Sequence, residues 1–449
     1  MEKDLTRGNV PLGLIGFALP ILLGNLLQAC YSFADMAIVG RLIGSEGLSA
    51  VESASRMYFL VASLWNGIAV AGTVLAAKAK GAGDTEGLRG SVGTLFALAG
   101  ISALAVTAAC VAFGGPLVAA MDVPSEARQG AKVYLVVVSL GAAFSFGYGA
   151  LCAVMRGLGD STGPFVYGAV SVVANVALDL LFVGPLGMGA GGAALATVLS
   201  QGLSFATAAI RLARRGMIPG LRFSDLKPNL RECVTIAKIG LPAAAQMGML
   251  NLSYVLATGM FNAHGLTVAA ASGIGLKVNT AVAMPTWAIG QAVITMAGQC
   301  LGAGNPARAK KAALVGLAIN LGMNAAMVVA IRLCAGGIVG LFTTDPAVVS
   351  EATRYLSICC SFNFLFYAAM VTFDSFATGT GNTLFAMVNS LIHSVALRLA
   401  LSAFLAWGLR WGASGLYWGE ALSPIVPCLV AALWFASGVW KKVKKEDKA

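Results

Sequence analysis

The sequence predicts an all-α polytopic membrane protein: twelve transmembrane helices in two pseudo-symmetric lobes of six. Three observations carry that reading: the composition, the spacing of the apolar runs, and a repeat relating the two halves. Of the 449 residues, 58% are hydrophobic and 11% charged, and the mean hydropathy is +0.82. A soluble globular chain carries about 25% charged residues, so this one lacks the polar surface needed to stay dissolved. A soluble chain of this length would suggest roughly three domains; here the useful count is of spans.

A helix needs about 20 apolar residues to cross the hydrocarbon core. Twelve segments satisfy this: 12–39, 51–77, 91–113, 131–156, 163–184, 190–212, 237–262, 269–298, 312–334, 349–376, 384–408 and 413–440. The residues before the first, MEKDLTRGNVP, are mixed in charge, and the apolar run that follows is too long for the core of a signal peptide. The first span is therefore expected to serve as its own targeting signal, with no cleaved leader. The fifth, eleventh and twelfth spans are interrupted or bounded by Gly and Pro.

Lys and Arg collect at the N-terminus, in the even-numbered loops and in the C-terminal KKVKKEDKA, while the odd-numbered loops hold few, among them Arg41, Arg128, Lys132, Arg354 and Arg410. Cationic loops are retained on the cytoplasmic side. Both termini are thus expected in the cytoplasm, with the chain in the cell (inner) membrane. The same distribution explains the net charge of +11 without nucleic acid as a partner. The longest connection, RLARRGMIPGLRFSDLKPNLREC at 211–233, is basic and breaks at Gly216, Pro219 and Gly220. It divides the chain into an N-terminal lobe (1–213), a cytoplasmic linker (214–236), a C-terminal lobe (237–440) and a basic cytoplasmic tail (441–449). The nine cysteines fall mostly in apolar runs with no CxxC pair, and are read as small apolar filler. No disulfide, metal site or cofactor is expected from them.

Placing residue n on residue n + 222 aligns the halves: "ALP" at 18–20 falls on "GLP" at 240–242, and "RGLGD" at 156–160 on "TGTGN" at 378–382. "GAGD" at 81–84 and "GAGGA" at 189–193 match "GAGN" at 302–305 and "GASGL" at 412–416, each one residue off. Six spans per half put the two halves the same way up. Parallel repeats of this kind suggest a transporter with its substrate site near the midplane.

On these phrases, and on "ALPILLGNLLQACYSFADMAIVGRLIGSEGLSAV", "VLAAKAKGAGD", "MRGLGDSTGPF", "NVALDLLFVGPLGMGAGGAALATVLSQ" and "QCLGAGNPARA", the chain resembles the multidrug and toxic compound extrusion (MATE) family from about residue 8 to residue 438. The resemblance implies two six-helix lobes around a central cavity. It also implies export of organic, often cationic and amphiphilic, compounds against an inward flow of H⁺ or Na⁺. The partners implied are small-molecule organic cations and the bilayer, with the chain acting as a monomer.

A carboxylate at the centre of a membrane helix costs about 2.5–3.5 kcal/mol on insertion scales, so it is kept only if neutral, paired, or in contact with water or an ion. Asp35 lies late in the first span and could instead sit at the outer interface. Tyr31 and Gln28, four and seven residues before it, share its face and make a polar stripe on a greasy helix. Asp179 lies mid-span in the fifth segment with Asn175 one turn earlier; a structural hydrogen-bond anchor is the alternative. Thr197 in the sixth span would most simply bond to its own helix. The resemblance adds that members with a cation site in the N-terminal lobe use a first-helix Asp and a fifth-helix Asp supported by Asn, Thr and Tyr. Asp35, Asp179, Asn175, Thr197 and Tyr31 occupy those places. Two neighbouring carboxylates in low dielectric cannot both ionise cheaply, so the pair should titrate as a unit and suits a proton. The oxygens of Asp35, Asn175, Asp179 and Thr197 would equally suit Na⁺, a hard cation.

Pro20, fifteen residues before Asp35, removes a backbone hydrogen bond from the first span and is the expected bend. In the second half Asp35 falls on Ala257 and Asp179 on Leu401, so the acids are not repeated. Gln246, Asn251, Tyr367 and Asp374 are the C-terminal candidates for substrate contact; Asp374 would bind a cation or pair with Arg398. Competing readings are a flippase for a lipid-linked precursor, which needs several cationic side chains in its pocket, and a membrane-embedded enzyme. No DDxxD motif, His cluster or GxxxxGK[ST] loop supports an enzyme.

Overall fold

The computed structural model describes residues 4–121 and 123–441; all but the first residue of the predicted tail lies outside them. Among the described residues ten helices are long and apolar enough to cross a bilayer, and two bent pairs, each taken as one span, bring the number to twelve. In order they are α1 (Val10–Leu42), α2 (Gly44–Ala82), α3 (Thr85–Ala119), α4 (Arg128–Leu140 with Ala142–Gly157), α5 (Thr162–Val183), α6 (Gly189–Arg214), α7 (Leu230–Asn262), α8 (Leu266–Gly302), α9 (Pro306–Gly340), α10 (Pro346–Cys359 with Asn363–Thr380), α11 (Thr383–Gly408) and α12 (Ala413–Ser437). Most run past their predicted ends, and at several of them a side-chain cap, rather than a loss of hydrophobicity, sets the start. The Asp84 carboxylate accepts from the Gly87 N–H at 2.8 Å and starts α3, and Asn305 does the same for Arg308 at 2.9 Å and starts α9. These are the "GAGD" and "GAGN" repeats.

The "RGLGD" and "TGTGN" phrases have the same local logic. A Cβ on Gly157 would stand 2.6 Å from the Thr73 carbonyl oxygen of α2, and one on Gly379 2.7 Å from the Ile294 carbonyl oxygen of α8. Only glycine allows that approach. Two residues on, Gly159 and Gly381 adopt φ of 90° and 93° and turn the chain. Asp160 and Asn382 then cap the next helix through Gly163 N–H (2.9 Å) and Phe385 N–H (3.3 Å). The bent spans are also equivalent in the repeat: both α4 and α10 bend by 51°.

The chain divides into two compact units. Among the described residues, one holds Leu19–Ala244 and the other holds Leu5–Ala18 and 245–441. The first is built around α2, whose Trp65 stacks on Phe146 at 5.3 Å and donates to its carbonyl at 3.0 Å. Its basic linker is docked through Asp225, which accepts from Arg89 at 2.9 Å, while Gly93 lies directly beneath the Asp225 carbonyl. The second is centred on Tyr355, Tyr417 and Phe261, with the two tyrosines edge to face at 5.1 Å. Its N-terminal residues are clamped by Arg308, which donates to the carbonyls of Leu5 (3.1 Å) and Gly8 (3.0 Å).

Candidate functional site

Helix α1 presents Gln28, Tyr31 and Asp35 on one face by their spacing of three and four. α5 presents Asn175 and Asp179 one turn apart, 2% and 0% exposed. α6 packs against α5 and contributes Thr197. The three helices bring all five predicted residues into one cluster. The Asn175 amide, assigned by its surroundings, donates from its nitrogen to Asp179 Oδ2 at 2.8 Å and to Tyr31 Oη at 2.9 Å; its oxygen accepts from the Thr197 N–H at 3.1 Å. The Thr197 hydroxyl donates to the Ala193 carbonyl at 3.0 Å, the back-bond expected of a membrane threonine.

Asp35, half-buried, and Asp179 have their carboxyl groups within hydrogen-bonding reach of each other. Asp179 Oδ1 is buried and finds no donor among the described residues. Two carboxyl groups so placed are stable only with positive charge between them, as a shared proton or a coordinated cation. All oxygen donors suit Na⁺ by type.

A cavity of about 490 Å³ opens within the same unit, walled by α1, α2, α4, α5 and α6. Tyr31, Asn175 and Thr197 line it, but the two carboxyl groups do not; they stand behind those three. Gln28 and Pro20 also line it. α1 passes through Pro20 without a break. The remaining wall is aromatic and amide-rich, with Trp65, Tyr58, Phe165 and Gln201, and a single cationic side chain, Arg156.

None of the C-terminal candidates lines this cavity. Gln246 donates to Ser390 Oγ at 2.6 Å, Tyr367 accepts from the Trp287 indole at 2.9 Å, and Asn251 is half-buried on α7. Asp374 is 5% exposed and accepts from Asn389 at 2.9 Å. The expected alternative pairing of Asp374 with Arg398 is not formed: Arg398 pairs with Glu420 at 3.1 Å. Sequence reasoning passed over Glu420 because span twelve was read from its apolar run. It passed over Arg156 because that residue stands in a turn motif.

Comparison with known proteins follows the same lines. The MatE family model matches residues 20–181 and again 242–404. The probable multidrug resistance protein YpnP of Bacillus subtilis is 29% identical over 98% of both chains. The probable multidrug resistance protein NorM of Thermotoga maritima is 26% identical over 96% of this chain and 93% of its own. Among solved structures, an outward-facing multidrug resistance MATE transporter of the MOP superfamily superposes with a TM-score of 0.91 at 21% identity, over 98% of this chain and 99% of that one. MATE in a bent conformation gives 0.92 at 21% identity, over 99% and 98%. Two family matches covering most of the chain, at the offset of its internal repeat, establish that this multi-pass membrane protein belongs to the MatE family, the multidrug and toxic compound extrusion transporters.

Proposed function

We propose that the protein is a secondary active antiporter that exports organic, cationic amphiphilic compounds in exchange for protons, from the cell (inner) membrane, as a monomer with both termini in the cytoplasm. The observation that carries this reading is the pairing of half-buried Asp35 with buried Asp179 beside a cavity lined by Tyr31, Asn175 and Thr197. When the pair takes up a proton its charge falls, and the hydrogen bond that Asp179 accepts from Asn175 weakens. That change acts directly on the wall shared by α1, α5 and α6. Pro20 removes one helical hydrogen bond from α1 where it lines the same cavity and lowers the cost of bending there.

The proton is the ion we assign because two neighbouring carboxyl groups can share one without any further ligand. The aromatic, amide-lined wall suits flat cations, and the curated relatives above are named as probable multidrug resistance proteins. A lipid-linked pyrophosphate would need several cationic side chains, and the cavity wall has Arg156 alone. The test is efflux of an ethidium-like dye from membrane vesicles. A proton gradient alone should drive it and a sodium gradient alone should not; efflux driven only by sodium would overturn the proton assignment.

A further inference from the structure

We propose that the C-terminal unit carries a built-in cation: the Arg398 guanidinium occupies the counterpart of the Asp35–Asp179 site and keeps it permanently filled. The repeat locates that counterpart. At "ALP"/"GLP" (18–20 and 240–242) and again at Asp160 and Asn382 the two halves stand 222 places apart. α5 is α-helical throughout, whereas α11 contains a π-helical stretch at Ile392–Leu397, ahead of Arg398 and Ser402, and a second at Phe404–Gly408, beyond them. A π turn takes in an extra residue, so beyond the first the counterparts lie 223 places apart. Asn175 then corresponds to Arg398 and Asp179 to Ser402; in α12, Thr197 corresponds to Glu420. The "GAGGA" and "GASGL" phrases at 189–193 and 412–416 stand at the same separation of 223. Asp35 corresponds to Ala257 on α7. Ala257, Arg398, Ser402 and Glu420, drawn from three helices, line one small cavity of about 10 Å³. The geometry thus assembles the residues that the register alone picks out.

The chemistry of the two sites is complementary. The N-terminal unit has two carboxyl groups, an amide and hydroxyls, an excess of negative charge that calls for an exchangeable cation. Its counterpart has lost both aspartates, to Ala257 and Ser402, and keeps a single carboxylate, Glu420. That carboxylate is answered by Arg398 at 3.1 Å, with the two side chains 12% and 5% exposed. Tyr355 donates to the other Glu420 oxygen at 3.1 Å, and the Tyr254 ring covers the guanidinium at 4.1 Å. A guanidinium does not lose its proton in proteins and is tied to its helix, so neither a proton nor Na⁺ displaces it. Each cycle would then exchange cations in the N-terminal unit alone. That consequence rests on the proposed role of Asp35 and Asp179; the occupied counterpart does not.

The test uses the purified full-length protein carrying Asp35→Asn and Asp179→Asn, so that the N-terminal site is silent. Its melting temperature is followed as Na⁺ replaces choline and as pH falls from neutral to mildly acidic. Adding Arg398→Gln should make melting newly dependent on Na⁺ or on pH, with stabilisation when the cation is supplied. Adding Glu420→Gln should remove that dependence. An Arg398→Gln protein as insensitive as its parent would overturn the proposal. If Arg398→Gln fails to fold, Arg398→Lys and the neutral pair Arg398→Gln/Glu420→Gln should fold; failure of the neutral pair would make Arg398 a packing residue and equally overturn it. Separately, a wild-type protein whose cation dependence matches that of the double aspartate variant would defeat the coupling role of the aspartates and leave the Arg398 result standing.

Discussion

Asn175 donates its amide nitrogen to Asp179 Oδ2 at 2.8 Å from one helical turn away, and through the same nitrogen reaches Tyr31 on α1 at 2.9 Å. One side chain therefore ties the fifth-helix carboxyl group to the helix that carries its partner.

Asn175→Leu should uncouple the pair while leaving the helix packed. A hydrogen bond to a charged group is worth about 1.5–3 kcal/mol, which is roughly tenfold to a hundredfold in rate. Gradient-driven dye efflux, compared at equal protein content in vesicles, should fall by that range. Efflux within twofold of wild type would show that the contact with Asp179 is idle (a twofold change is about 0.4 kcal/mol).

The repeated glycines make a stability prediction. Gly157→Ala would bring a Cβ to 2.6 Å from the Thr73 carbonyl oxygen, and Gly379→Ala to 2.7 Å from that of Ile294. Overpacking of this kind costs about 1–3 kcal/mol. Both variants should melt below wild type, whereas Gly100→Ala, with nothing within 4 Å of its Cβ position, should not. Equal melting temperatures for all three would remove the close-packing explanation of the two phrases.

The linker makes a pH prediction. The Asp225 carboxyl is held below the usual carboxylate range, first by the Arg222 backbone N–H and then by the Arg89 guanidinium. Because the docked form has the lower pKa, its contribution is complete above the ordinary carboxylate range and is lost only as pH falls through the depressed value. Arg89→Ala removes one of these donors and should move the loss to higher pH. Hydrogen exchange of the linker amides across an acid pH series measures this; superimposable profiles for the two proteins would contradict it.

Much of this was legible in the sequence. The spans and the duplication follow from spacing, and helical periodicity fixes that Tyr31 shares a face with Asp35 and Asn175 with Asp179; that these four and Thr197 gather from three helices was implied only by the family resemblance. The turn phrases were legible as repeats but not as caps and close approaches, since φ and interhelical distance are not written in residue order. Arg398 was legible as a buried charge but was given the wrong candidate partner. The π stretch at Ile392–Leu397 shifts the register by one residue, and under a fixed offset Glu420 does not fall on Thr197. That the carboxyl groups stand behind Tyr31, Asn175 and Thr197 rather than in the cavity wall also depends on packing, which no periodicity shows.

The most direct measurement is proton-gradient-driven efflux by Asp35→Asn and Asp179→Asn, each reconstituted at wild-type levels. Both variants should insert and bind dye, and neither should move it against its gradient. Wild-type efflux from either one would show that the acid pair does not carry the exchange.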